Sequence, residues 1–397
     1  MKLTREQRDW LCLALTPGVG TARFIRLLAR LGTPGRVLAA TQAELADVVG
    51  ENLAERIRQH AHVADLDLQE ERMNEHDVIL LTMDDPQYPA QLAEIYDPPL
   101  LLYVRGELRE EDQYAVAIVG TRKASAQGLK MAHSLAFELA GRGITVVSGL
   151  AEGIDSAAHR GALEAGGRTI AVLGSGHDQM FPAANADLLH RIIRQGCAVS
   201  PFPMGMHALK QNFPQRNRVL SGLCLGTIVV EAPPGSGSLI TAKYAAEQGR
   251  EVFAVPGPAG FANSRGPHEL IRDGARLVES VDDVLVELNL PPAMRQRPAR
   301  PAEPSEKRVQ GTLAFTAPVH EPARHAEEPV QSPPPPRKYA LSKTEELILG
   351  SLHPEGSFVD EIALSCRVSI SEALSSLTML ELKGLVRQLS GKRFAPR

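Results

Sequence analysis

Residues 116–128 read VAIVGTRKASAQG, and their reading decides the fold. Val116 to Val119 suit a short buried strand, Gly120 a tight turn, and the stretch after Ser125 a helix. That order opens a dinucleotide-binding unit. A nicotinamide- or flavin-binding turn would place a second glycine at position 122, so that backbone approaches a pyrophosphate. This sequence has Arg122 there, followed by Lys123. The turn is built for phosphate, yet it carries a guanidinium where a dinucleotide site carries no side chain.

Outward from this stretch, short apolar runs alternate with helical ones across residues 76–290. The runs are VILLT (78–82), LLYVRG (101–106), AVAIVG (115–120), ITVVSG (144–149), TIAVLG (169–174), AVSPF (198–202), GTIVVEA (226–232) and EVFAVPG (251–257). Apolar throughout and rich in Val and Ile, they suit strands buried on both faces of a parallel sheet. Intervening segments such as SAQGLKMAHSLAFELAGRG have crossover-helix length and end in glycine. The expected fold is α/β: an extended Rossmann-like, doubly wound, mostly parallel sheet.

Flanking this domain, residues 1–75 read as helical, broken at PGVG and LGTPG. LTPGVGTARFIRLL resembles a helix-hairpin-helix turn, and a SAM- or helix-hairpin-helix-like domain is expected there. From 291 to 340 roughly a quarter of the residues are proline. Such a stretch buries too little apolar surface to offset its ordering entropy, so it reads as a disordered linker, with GTLAF as a small apolar island. Residues 341–397 read as helix, helix, helix and a basic hairpin, the pattern of a winged helix opened by a Ser342–Glu345 capping box. Its third helix, SEALSSLTMLELK, has almost no basic residues; Arg387, Lys392, Arg393 and Arg397 gather on the wing.

The totals narrow the classes. A net charge of −4 gives no global attraction to nucleic acid, so an anion site must be built locally. Cys12, Cys197, Cys224 and Cys366 lie without metal-ligand spacing and read as reduced thiols. No apolar run reaches membrane-spanning length, and MKLTREQRDW lacks a signal-peptide core, so a cytoplasmic protein without membrane contact is expected.

Ligands of an open parallel sheet bind beyond the carboxyl ends of its strands. There the sequence places Gly120, Thr121, Arg122 and Lys123; then Ser148, Gly149 and Gly153, with Asp155 as a cap for the next helix. KQNFPQRNRVLSG supplies Lys210, Asn212, Arg216, Asn217 and Arg218. Gly235, Ser236, Gly237 and Ser238 precede a helix and make an anion nest of amides and hydroxyls. His159 and His177 have no partner cluster and read as helix-surface or loop residues. No paired acids, no nucleophile beside a base and no metal triad accompany the phosphate nests. That set favours binding an extended polyanion, with no catalytic residue, metal or cofactor expected.

IVGTR, SGLAEGIDSAAHRGAL, GHDQMFP, NFPQRNRVLSGL, GSGSLITAKYAAEQGREVFAVPG and LIRDGA, in this order, resemble the DNA-processing protein A family (DprA, also called Smf). The resemblance covers most of residues 76–290. It implies a Rossmann-like domain that binds single-stranded DNA, forms homodimers and loads RecA recombinase onto DNA during natural transformation. It also implies that Arg122, Arg216 and Arg218 line the DNA pocket. The sequence departs from the family pattern at PFPMG (201–205), where an acidic-aromatic-Pro-Pro-Gly run is usual. A guanidinium both bonds phosphate and stacks on a base, which is the use a single strand has for Arg122.

The competing class is a nucleotide-processing enzyme of the phosphoribohydrolase type, marked by Pro-Gly-Gly-x-Gly-Thr-x-x-Glu after a strand. PPGSGSLIT (233–241) keeps much of that pattern, but Thr241 stands where the catalytic acid belongs.

Overall fold

A computed structural model describes residues 2–63, 65–295, 342–353, 357–366, 368–383, 385–389 and 393–396. GTLAF, Lys392 and Arg397 lie outside the described residues. The chain divides into two compact units, within Met1–Glu306 and within Lys307–Arg397.

The first unit is organised by one sheet. Its strands are β1 (Val78–Thr82), β2 (Leu101–Gly106), β3 (Ala115–Val119), β4 (Thr145–Ser148), β5 (Thr169–Val172), β6 (Cys197–Ser200), β7 (Gly226–Val229), β8 (Glu251–Ala254) and β9 (Arg276–Leu277). They lie in the order β1-β2-β6-β5-β4-β3-β7-β8-β9. From β3 the chain winds outward through β4, β5 and β6, then returns to β3's other side with β7, β8 and β9. The strand order therefore reverses between β3 and β7, and a doubly wound sheet opens its ligand crevice at such a reversal. The carboxyl end of VAIVG borders that point.

Two of the eight apolar runs depart from the expected parallel arrangement. β1 pairs with β2, and β2 with β6, in antiparallel register. Between β1 and β2 the chain has only a short helix, Ala90–Ala93, too little for the crossover that a parallel pair needs. The edge strand β9, two exposed residues long, went unread in the sequence.

Helices cover both faces. On one face α8 (Ala126–Gly141), α9 (Ile154–Glu164) and α14 (Val281–Glu287) pack on Val116, Ile118, Val146, Ile228 and Phe253. On the other, the Ala90–Ala93 helix (α7), α11 (Asn212–Gly222) and α12 (Gly237–Glu247) pack on Ala117, Val119, Val147, Val172 and Val229. The same unit also holds α10 (Ala186–Gln195), α13 (Arg265–Arg272) and the short α15 (Pro292–Arg295). Helices α8 and α9 approach closely because Gly161 has no side chain: a Cβ there would come within 2.2 Å of the His133 carbonyl.

Residues 5–75 form six helices, α1 (Arg5–Leu15), α2 (Thr21–Leu31), α3 (Pro34–Ala39), α4 (Gln42–Val49), α5 (Glu51–Val63) and α6 (Leu66–Glu75). Trp10, Phe24, Leu27, Leu45 and Ile57 share a core with Leu80, Leu101 and Tyr103 of the antiparallel strands. Gln7 of α1 donates its side-chain amide to the Leu80 carbonyl on the edge strand β1.

In the second unit α16 (Lys343–Ser351), α17 (Val359–Cys366) and α18 (Ile370–Leu382) pack on a sheet of β10 (Ser357–Phe358), β11 (Val386–Leu389) and β12 (Arg393–Pro396), ordered β10-β12-β11. Capping boxes open α16 at Ser342 and α18 at Ser369. Ile348, Ile362, Leu377, Leu380 and Phe394 fill the core. Arg387 and Arg393 lie on the two strands of the wing.

Ile118 has no solvent exposure and sits on β3, where the two halves of the sheet meet. Ile118→Ala should cost about 2–5 kcal/mol through lost burial and the cavity left behind. Urea unfolding, compared with the unsubstituted chain at equal slope, measures it.

Candidate nucleic-acid interface

At the reversal point the carboxyl ends of β3 and β7 open into a cavity of about 360 Å³. Gly120, Thr121, Arg122 and Lys123, which follow β3, line it together with Pro233 to Ser238, which follow β7. Phe213, Arg216, Asn217 and Leu220 project from α11, at positions three and four apart and so on one helix face. Asp155 is the only acid among the described lining residues, against Arg122, Lys123 and Arg216.

The turn that carries Arg122 is held from below by Glu231. The Thr121 amide donates to the Glu231 carbonyl at 2.7 Å, while the Glu231 carboxylate accepts from the Ser125 amide (2.9 Å), the Ser125 hydroxyl (2.5 Å) and Asn263 (3.0 Å). Ser125 in turn caps α8 through the Gly128 amide, and a Cβ on Gly128 would meet the Glu231 carboxylate. On the other side, Gly153 at φ +79° passes so close that a Cβ would lie 2.4 Å from the Thr121 carbonyl. Only glycine takes that path, since both the angle and the space forbid a side chain. The backbone is fixed, and Arg122 and Lys123 point outward, exposed. Among the described residues no acid pairs with Arg122. Its guanidinium lies 5.6 Å from the centre of the Phe213 ring, within cation–π range.

Arg216 is different: only 6% exposed, it is a buried strut. Its Nη1 donates to the carbonyls of Gly149 (2.5 Å) and Val172 (2.7 Å), and its Nε to Asn217 Oδ1 (3.0 Å). Gly149 makes room, because a Cβ there would stand 2.2 Å from that guanidinium. Asp155 does not cap α9 as expected. It reaches back to accept from the amides of Gly149 (3.1 Å) and Ala151 (3.4 Å). Burial pushes the Asp155 carboxyl up and the Arg216 guanidinium down, each opposed by the other's charge.

The nest before α12 has the expected build. Gly235 turns at φ +77°, Ser236 caps the helix at the Ser238 amide, and the two hydroxyls lie 2.7 Å apart. Asn217 donates to the Gly237 carbonyl at 3.1 Å and ties α11 to the nest. Thr241 is buried, with its hydroxyl directed at the same carbonyl.

Of the sixteen residues expected at the site, ten line the cavity: Gly120, Thr121, Arg122, Lys123, Arg216, Asn217 and Gly235 to Ser238. Six do not. Ser148 is fully buried and donates to the Ile118 carbonyl; Gly149 and Gly153 act through their lack of a side chain. Asn212 holds the start of α11 through the carbonyls of Gly174 and His207. Lys210 is exposed outside the cavity, and Arg218 lies on another face of α11, paired with Asp97. Phe213 and Glu231 were missed as site residues. Phe213 stands three residues before Arg216 in the same motif, so helical spacing alone marked it.

Both histidines are buried, against expectation. His159 Nδ1–H donates to Thr169 Oγ1, because that hydroxyl already donates to the Val146 carbonyl; Nε2 is left without a partner. His177 Nε2 donates to the Tyr103 carbonyl, and its Nδ1 is unpartnered. Burial, with Arg216 beside it, pushes His159 down to about 3, and burial pushes His177 down to about 4. Cys12, Cys197 and Cys224 are buried free thiols, and burial raises all three. Among the described residues no cluster of His, Cys, Asp and Glu could hold a metal, and no helix is long and apolar enough to cross a membrane.

Two stability predictions follow from these contacts. Glu231→Ala strands the Ser125 amide and removes one of the two acceptors of Asn263 Nδ2, which keeps the Lys123 carbonyl, and should cost about 1–3 kcal/mol in urea unfolding. The second concerns pH. Unfolded imidazoles protonate near pH 6.5, whereas native His159 and His177 stay neutral to about 3 and 4. The unfolded chain therefore binds protons first, and stability falls as pH drops below 6.5, by up to about 1.4 kcal/mol per pH unit for each ring. Urea unfolding of His159→Gln between pH 7.5 and 4.5 should show a shallower fall.

Residues 79–289 match the family model described as DNA recombination-mediator protein A, and residues 332–392 match the DprA winged helix domain. The chain is similar to Protein Smf of Synechocystis, 33% identical over 99% of both chains. It is 47% identical to the DNA processing protein DprA of Streptococcus pneumoniae over 51% of this chain and 72% of that one. The X-ray structure of that pneumococcal protein superposes with a TM-score of 0.64 and 36% identity, covering 73% of this chain and all of the other. The sequence resemblance, the Rossmann-like sheet and the winged helix agree with these matches: the chain belongs to the DprA/Smf family.

Proposed function

We propose that this protein binds single-stranded DNA at the cavity between β3 and β7, and that it hands the strand to RecA recombinase in transformation and homologous recombination. The observation that carries the reading is Arg122: exposed, free of any described acid, 5.6 Å from the centre of the Phe213 ring, and lining the same cavity as the amide nest at Gly235–Ser238. Phosphate suits the nest and the guanidinium, and an unpaired base suits the ring. A cavity of about 360 Å³ is at the small end of ligand sites and takes nucleotides of a strand, not a duplex. Arg122, Lys123, Asn217 and the nest are the contacts in this reading, with Arg216 supporting them from beneath. Lys210 extends the track outside the cavity, and Arg218 is held by Asp97.

The protein acts by binding, without catalysing a reaction. Supporting this, Thr241 replaces the acid of the phosphoribohydrolase pattern, and its hydroxyl faces a backbone carbonyl. Homodimerisation and a cytoplasmic location belong to the same proposal and rest on family membership. For the winged helix, α18 carries Glu372 and Glu381 where a DNA-reading helix carries cations, which favours a protein partner for that unit.

The test is binding to single and double strands of equal length across salt. Arg122→Ala should weaken single-strand affinity roughly ten- to a hundredfold, the usual worth of a charge-assisted bond of about 1.5–3 kcal/mol. It should also flatten the salt dependence, as one fewer counterion is released. Arg122→Lys recovers only part, and the melting temperature stays unchanged. Equal affinity for both DNA forms, or release of a base from nucleoside monophosphates that Ser238→Ala abolishes, overturns the reading.

A further inference from the structure

Aromatic residues make up 4% of this chain, and five of them are at least 40% exposed among the described residues: Tyr96, Phe137, Phe181, Phe261 and Phe358. Phe137 stacks on His133 of its own helix, and Phe358, in the second unit, has Arg393 5.8 Å from its ring centre. Phe181 alone of the five touches a ring that lines the cavity. Its centroid lies 6.0 Å from that of Phe213, with the planes inclined at 60°. Phe213 in turn lies over Gly174, where a Cβ would come within 3.1 Å of its ring. Gly174 follows β5, and Phe181 belongs to the loop after it.

This placement extends the site along the sheet. The amide nest follows β7, the Arg122 turn follows β3, and the two phenylalanines stand beyond β5. These strand ends share the carboxyl edge of the sheet, in the order β5-β4-β3-β7. The phosphate-binding groups thus stand toward one end of the row and the two rings toward the other, Phe181 exposed and Phe213 half-buried with Arg122 and Arg216 each 5.6 Å from its centre. A phenyl ring has no group for phosphate or sugar hydrogen bonds, and left 47% exposed it offers an apolar face to whatever passes. The faces of unpaired bases match such a surface, whereas a duplex keeps its base faces stacked on one another.

We propose that Phe181 is a second base-stacking platform, so that successive unpaired bases meet Phe213 and then Phe181 while the strand's phosphates run along the nest and Arg122. This rests on the single-strand reading above and adds a direction to it: the strand crosses the sheet edge from β7 toward β5. Stacking on a ring is tolerant of sequence and makes no charge contact. Phe181 therefore adds affinity for unpaired bases without adding to the salt dependence.

The experiment titrates a labelled oligothymidylate with the full chain at low and high salt, for the unsubstituted protein, Phe181→Ala, Phe181→Leu, Phe181→Trp and Arg122→Ala. Leucine keeps apolar packing against Phe213 and removes the π face; tryptophan keeps the face. Alanine and leucine should each weaken binding about five- to a hundredfold with an unchanged salt slope. Tryptophan should retain affinity, and its emission should be quenched by the strand. That signal is clean because Trp10, the one native tryptophan, is buried. If Phe181→Leu binds like the unsubstituted chain while Arg122→Ala is impaired, Phe181 is a bystander and the single-strand reading stands. Unquenched emission from Phe181→Trp in a complex of full affinity also overturns the proposal. If the unsubstituted chain does not bind the oligothymidylate at either salt, both readings fall together.

Discussion

A guanidinium almost out of contact with water joins the carboxyl ends of two neighbouring strands. Arg216 bonds the carbonyl of Gly149 just past β4 and that of Val172 at the end of β5, groups that the sheet ladder leaves unpaired there. Burying a charge is costly unless it is fully hydrogen-bonded, so the surroundings are shaped to supply those bonds. Gly149 gives up its side chain to admit it, Asp155 stands beside it, and Asn217 takes its Nε. The same residue fixes α11, and through α11 the positions of Phe213 and Asn217 in the cavity. Its charge, weakly screened, lies beneath the place where the strand's phosphates are proposed to sit.

Above this strut, the proposed recognition is divided between backbone held by hydrogen bonds and exposed side chains. Glu231 clamps one turn and Asn217 the other, so the amides proposed to face phosphate are positioned before a ligand arrives. Preorganisation of this kind spares the complex part of the ordering cost of binding. Arg122 and Lys123 stand exposed, with no acid paired to them among the described residues. That combination suits a ligand with a constant phosphate backbone and variable bases.

Much of this was legible in the sequence, for identifiable reasons. Eight apolar runs marked eight strands, because strands covered on both faces leave uninterrupted Val and Ile. The direction of β1 and β2 was not legible, since an apolar run reads alike in either sense, and β9 consists of Arg276 and an exposed Leu277, with no pattern to see. Ten of sixteen expected site residues line the cavity because strand ends converge in this topology. The rest were misplaced where the partner is backbone: nothing in NFPQRNR says that Arg216 ends on two carbonyls, or that Arg218, two residues on, turns to Asp97. His159 gave a subtler signal. It lies in DSAAHRGAL, whose Ala157, Ala158, Gly161 and Ala162 let the helix press close to its neighbours, and His159 is buried among them while the adjacent Arg160 is exposed.

The two margins of the nine-stranded sheet have a consequence for the protein's behaviour at high concentration. A sheet that does not close into a barrel ends in strands whose unpaired backbone invites edge-to-edge growth with other chains. Here one margin, β1, has the Leu80 carbonyl already taken by Gln7 of the first helix, and it shares a core with the N-terminal helices. The other, β9, is only two residues long and carries the charge of Arg276. Short, charged or covered margins are the devices by which open sheets resist templating one another. An open sheet of this width thus presents little backbone from which an aggregate could be seeded.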